Sequence, residues 1–169
     1  MKAMKTVESS LFPTRNDIPA ATRIKIVALL NARLADCIDL QTQCKQAHWN
    51  VKGPNFIALH ELFDKVNAAV EEYVDAIAER AVQLGGVATG TARMVAKSSS
   101  LAEYPPAVDG HEHVEALSSA LATFGKSVRE AIDHADKLND TDTVDLFTEV
   151  SRGVDQWLWF VEAHVQGEN

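Results

Sequence analysis

The chain has 169 residues, 46% of them hydrophobic and 24% charged, a composition that fits one folded domain and excludes wholesale disorder. Its 16 lysines and arginines face 24 aspartates and glutamates, so the formal charge is -8, and a body this acidic repels nucleic acid unless its cations are gathered in one place. No apolar run approaches the ~18 residues of a membrane span, and residues 1–15 lack the apolar core of a secretory signal, so the expected compartment is the cytoplasm.

The first predicted element is a long helix over residues 19–50. Pro19 suits a first helical turn, where its missing N–H has no partner to lose. Leu30, Leu34, Cys37, Cys44 and His48 recur at spacings of three, four and seven and form one stripe. Cys37 and Cys44 lie roughly 10 Å apart along such a helix, too far for a disulfide, and are expected as small core residues. Lys52-Gly53-Pro54 breaks the helix. A second helix is expected from Asn55, a good N-cap, to Leu84, where Gly85-Gly86 stops it.

Between residues 86 and 106 the signals are mixed. A short helix over 91–98 is expected, and Tyr104-Pro105-Pro106 excludes another. A third long helix begins at Asp109, with Glu112 completing a capping box, and runs to about residue 138. After a turn at Asn139-Asp140, a fourth helix extends from residue 141 or 142 to about 165. The pattern is all-α: a four-helix bundle with a short extra helix in the connection between the second and third long helices. A flexible N-terminal tail over 1–18 and a bundle domain over 19–169 are expected.

The second helix holds the chemically informative pattern. His60, Asp64, Asp75 and Glu79 fall at about 0, 40, 60 and 100° around the axis, one stripe on a helix whose Leu59, Phe63 and Val70 mark a buried side. Such a stripe is expected to displace apolar side chains, so its carboxylates need positive partners. It reads either as a solvated polar face or as a metal site, because imidazole with carboxylate suits iron, manganese or zinc. Asp64 and Asp75 are roughly 16 Å apart along the axis, too far for one metal. The stripe therefore contains two half-sites, His60/Asp64 and Asp75/Glu79, each spaced i,i+4. Two copies of the helix packed antiparallel about the point between Ala69 and Val70, with Ala68 beside it, would bring the first half-site of one against the second half-site of the other. His48 ends the stripe of the first helix, either as a hydrogen-bonded core residue or as a third ligand. The Glu-x-x-His pairs of an in-chain di-iron bundle are absent from the sequence.

Three segments carry a family resemblance: Lys45-Gln46-Ala47-His48-Trp49-Asn50, the run from Gly53 to Asp64, and the run from Asp75 to Gly86. Together they resemble the signature of the Dps family, the DNA-binding proteins from starved cells or mini-ferritins, and the likeness extends from Thr14 to Phe160. The resemblance implies a ferritin-like bundle assembled from two-fold dimers into a hollow homo-dodecamer, with a ferroxidase centre at the two-fold interface. His48, His60 and Asp64 would come from one subunit, Asp75 and Glu79 from its neighbour. It also implies an enzyme that oxidises Fe(II) with hydrogen peroxide or oxygen and stores ferric mineral, protecting DNA from oxidative damage. Trp49 would either intercept stray oxidising equivalents or pack at the interface, and Trp157 and Trp159 are expected to pack.

Residues 133–169 hold nine carboxylates against Lys137 and Arg152. Carboxylates at a helix N-terminus stabilise it in their own right. By resemblance this region also lines an iron-entry pore, for which Asp140, Asp142 and Asp145 are the candidates. The first 25 residues carry Lys2, Lys5, Arg15, Arg23 and Lys25 against Glu8 and Asp17. Lys2, Lys5 and Arg15 would contact DNA phosphates, repeated around a cage, or form an idle solvated tail. A nucleoid-condensing protein with a secondary metal role is the alternative to the ferroxidase.

Overall fold

The computed structural model describes residues 11–167. Its elements are α1 (Ala20–Asn50), α2 (Phe56–Gln83), α3 (Ala92–Ser98), α4 (Gly110–Lys137) and α5 (Thr141–Glu162). Among the described residues the β content is a single isolated bridge between Lys52 and Asp109. No helix among them is long and apolar enough to cross a membrane.

Two antiparallel hairpins, α1/α2 and α4/α5, pack face to face, with α1 against α4, α2 against α5, and α3 resting on α1. The seam is apolar: Leu30, Leu34, Cys37, Leu40 and Cys44 of α1 meet Phe63, Val66, Val70 and Ile77 of α2 and Leu117, Phe124 and Phe147 of the second hairpin. Burying a side chain of this size contributes about 1.5–3 kcal/mol. The core therefore needs no metal to hold it together.

The ends of the helices follow from local chemistry. Asp109 accepts from the Glu112 backbone and Glu112 bonds back to the Asp109 N–H, the expected capping box. Asn55 stands at the N-cap of α2 but makes no side-chain cap bond. The fourth long helix stops at Glu162, three residues short of the expected end, and a turn follows. Gly85 has φ +83°, and its carbonyl accepts from the Phe12 backbone at 2.7 Å; a Cβ there would strike the Phe12 backbone. That contact corrects the expected tail. Residues 11–18 are held against the end of α2, with Arg23 bonded to the carbonyls of Ile18 and Leu84 and Ile18 packed on the core. The expected tail positions 1–10 lie outside the described residues.

The crossover from α2 to α4 is fastened along its length. Thr89 bonds to Asn31, and Ser100 bonds through its backbone and hydroxyl to the buried Asp36, which is paired with Arg33. These contacts hold the long connection against α1 and leave the outer face of α2 uncovered by this chain.

Candidate metal centre

The five residues between α1 and α2 turn at Gly53, where φ is +108°, and bring the last turn of one helix beside the first turn of the next. His48 and His60 meet there in a reciprocal contact. Nδ1 of each ring lies 2.8 Å from the backbone carbonyl of the other. A carbonyl can only accept, so each ring must carry its proton on Nδ1. In the neutral ring Nε2 then carries the lone pair, the form in which imidazole binds a metal. The rings stack with centroids 3.8 Å apart and planes 22° from parallel, and Phe56 flanks His60.

Asp64 stands one turn beyond His60. The side chain is half exposed, and its Oδ1 is held by Lys45, which comes one turn before His48. The hydrogen bond from Lys45 is the main cause that lowers the Asp64 pKa, with burial opposing it and the positive charge of Lys45 adding to it. Asp64 is thus kept as a carboxylate by a cation that an arriving metal ion would have to displace. Sequence reasoning missed Lys45; its signal was the one-turn spacing ahead of His48.

The structure brings His48 and His60 together, with Asp64 one turn beyond His60 on the same helix, and sets Asp75 and Glu79 further along α2. Asp64, Ala68, Asp75, Ala76 and Glu79 are all exposed, while Leu59, Phe63, Val70 and Ile77 face the core. The expectation that the stripe displaces apolar side chains is therefore corrected. It lies on the outer face of α2, so its carboxylates avoid the penalty of dry burial. Val70 belongs to the core, and Ala68 is the small residue presented outward. Among the described residues no group of three or more His, Cys, Asp or Glu side chains is close enough to hold a metal ion within one chain. Trp49, beside His48, is 66% exposed; Trp157 packs on the core, and Trp159 is exposed with its ring edge-on to Phe160.

At the other end of α2 the structure corrects the reading of Asp140. Only 2% of that residue is exposed, so its carboxylate cannot line an open pore. It caps α5 through the Thr143 backbone, accepts from the Thr143 hydroxyl at 2.6 Å, and pairs with Arg80 at 2.7 Å. Asp142 and Asp145 remain exposed. Arg80 also bonds to the Thr143 hydroxyl and follows Glu79 directly, so this buried network fixes the end of the helix that carries Asp75 and Glu79. The signal for Arg80 was a cation falling among Ile77, Ala81 and Leu84 on the apolar side. Arg15 is exposed on the held segment, whereas Lys2 and Lys5 lie outside the described residues.

A ferritin-like domain model matches residues 27–168. A DNA protection during starvation protein of Agrobacterium fabrum is 44% identical over 154 residues, which span 90% of this chain and 95% of that protein. Among solved structures, DpsA14 of Streptomyces coelicolor superposes with a TM-score of 0.87 at 31% identity, covering 94% of this chain and 96% of that one. Dps of Microbacterium arborescens in its high iron form gives a TM-score of 0.80 at 34% identity, covering 91% and 99%. With its bundle, its crossover helix and its length all accounted for in these relatives, the chain belongs to the Dps family of ferritin-like proteins.

Proposed function

We propose that this protein is a ferroxidase that oxidises Fe(II) with hydrogen peroxide or oxygen and stores the ferric product inside a dodecameric cage. The observation that carries this reading is the His48–His60 lock, which commits both Nδ1 atoms to carbonyls and leaves Nε2 for a metal, with the Asp64 carboxylate one turn beyond His60. Three donors do not complete an iron site. Asp75 and Glu79, exposed on the same face of α2, are the complement that a second copy packed about a two-fold axis supplies. Carboxylate oxygen favours the harder ferric ion, and a small number of imidazoles lets ferrous iron arrive and leave. Iron is here the substrate, and no protein nucleophile is required. Two ferrous ions giving one electron each to a peroxide avoid release of hydroxyl radical.

The high iron form named for the Microbacterium relative agrees with iron as cargo. Exposed Asp142 and Asp145 on the acidic end are proposed as part of the iron entry path, with Asp140 serving structure instead. Such a cage would act in the cytoplasm and spare DNA the oxidant. The direct test is Fe(II) oxidation with peroxide and with oxygen in wild type and in Asp75→Ala/Glu79→Ala. Loss of fast oxidation in the variant supports the shared site; equal rates refute it.

A further inference from the structure

A short contact between a phenol and a buried imidazole lies behind the candidate metal centre and has no part in it so far. Tyr104 stands in the crossover just before Pro105, and its hydroxyl is 2.6 Å from Nδ1 of His113 at the start of α4. His113 is 0% exposed, and its Nε2 has no hydrogen-bond partner. The Asn50 backbone is near enough to favour the charged ring slightly without closing a bond. Burial pushes the phenol up and the imidazole down, so both are neutral at neutral pH and the phenol donates to Nδ1. On its other side His113 packs against Phe63, with ring centroids 6.4 Å apart. Phe63 precedes Asp64 in α2, and Asn50 follows Trp49 in α1. The pair therefore sits behind both helices that carry the candidate ligands.

A phenol that loses an electron becomes a strong acid, and its oxidation is easiest where a base already shares its proton. Nδ1 of His113 is that base; Glu112 and Asp109 on the same turn favour the imidazolium that results, while burial and the charge of Lys52 oppose it. We propose that Tyr104 and His113 form a one-electron redox site that takes up oxidising equivalents escaping the metal centre, an inference that rests on the iron-oxidation reading for its source of oxidant. The oxidant is of the hydroxyl-radical class, formed when a single Fe(II) gives peroxide one electron. It removes one electron from Tyr104 and becomes hydroxide, while the phenolic proton passes along the hydrogen bond to Nδ1. The products are a neutral tyrosyl radical and a protonated His113. One electron from a further Fe(II), with the proton returning from His113, restores the pair and leaves Fe(III).

The chain has two tyrosines, Tyr73 and Tyr104, so the radical can be assigned by substitution. The full protein is oxidised in two arms and freeze-quenched for electron paramagnetic resonance: by Fe(II) with peroxide, and without iron by azide radicals. Ring-deuterated tyrosine in the unaltered protein identifies the signal as tyrosyl without any substitution. In the iron-free arm the tyrosyl signal should fall at least tenfold in Tyr104→Phe, persist in Tyr73→Phe, and decay faster in His113→Gln. Circular dichroism confirms that each variant is helical. A signal unchanged in Tyr104→Phe, or no tyrosyl signal at all in that arm, overturns the proposal. A Tyr104 radical in the iron-free arm but not with Fe(II) and peroxide upholds the redox pair and refutes the iron chemistry proposed as its source.

Discussion

Replacing Asp140 by alanine tests whether this aspartate serves the fold or an open pore. Its carboxylate bonds Arg80 at 2.7 Å, the Thr143 hydroxyl at 2.6 Å and the Thr143 backbone at 3.2 Å, with 1% of the Asp140 side chain and 9% of the Arg80 side chain exposed. Removing it strands a buried guanidinium whose nearest remaining carboxylate is that of Asp142, 3.8 Å away and 83% exposed. Breaking a buried pair in this way costs about 3–5 kcal/mol. The lost N-cap is worth about 1 kcal/mol, but the two overlap and do not simply add. For a domain of this length the result is a fall in Tm of roughly 6–20 °C. Thermal unfolding by circular dichroism at fixed protein concentration measures it, with Asp142→Asn and Asp145→Asn as exposed controls expected within about 0.5 kcal/mol of wild type. A loss below about 1 kcal/mol in Asp140→Ala would refute the assignment of Asp140 to the buried network.

Lys45→Gln removes the hydrogen bond that lowers the Asp64 carboxyl. A lowered pKa stabilises the charged form above the ordinary range, and that contribution is lost as pH falls through the lowered value. The variant should therefore titrate at higher pH, as carboxyl carbon-13 resonances of metal-free protein would record; an unchanged titration removes Lys45 from the site. Burial raises the Cys37 thiol and pushes Cys44 up to about 12. Both thiols should resist an aromatic disulfide reagent at pH 8 in native protein and react promptly in denaturant; fast native labelling would mean that the α1 seam opens. The nucleoid-condensing alternative predicts DNA retention in gel shifts that weakens steeply as salt rises from about 50 to 200 mM and is abolished by deleting residues 1–15; no retention by the full chain would leave the tail idle. Retention that survives the deletion would move the DNA contact to the body.

The helices were readable because their stops are chemical. Pro19, Gly53-Pro54, Gly85-Gly86 and the Asp109/Glu112 box each mark a boundary within a residue or two of where the structure has it. The i,i+4 spacing of His60/Asp64 and Asp75/Glu79 likewise exposed two half-sites too far apart for one chain to unite. Periodicity gave the stripe its angle but not its environment. Only the packing of α1 and α5 on α2 revealed that His60 to Glu79 runs along the outer face. The reciprocal His48–His60 bonds depend on how the Gly53 turn aligns two helix ends, which composition does not encode. Asp140 misled for a related reason: an aspartate before a helix reads the same whether it faces solvent or a buried Arg80, and the partner lies 60 residues away in sequence.

Complementation between two inactive variants tests the shared centre most directly. His60→Ala lacks the first half-site, and Asp75→Ala/Glu79→Ala lacks the second. In a dimer of the two, one interface site combines both defects and the other is intact. Random co-assembly should therefore restore roughly one quarter of wild-type Fe(II) oxidation sites, although neither parent alone has any. Recovery near that level from co-assembled protein, absent when the two are merely mixed after assembly, is the predicted result. Co-assembled cages as inactive as their parents would contradict a centre built from two chains.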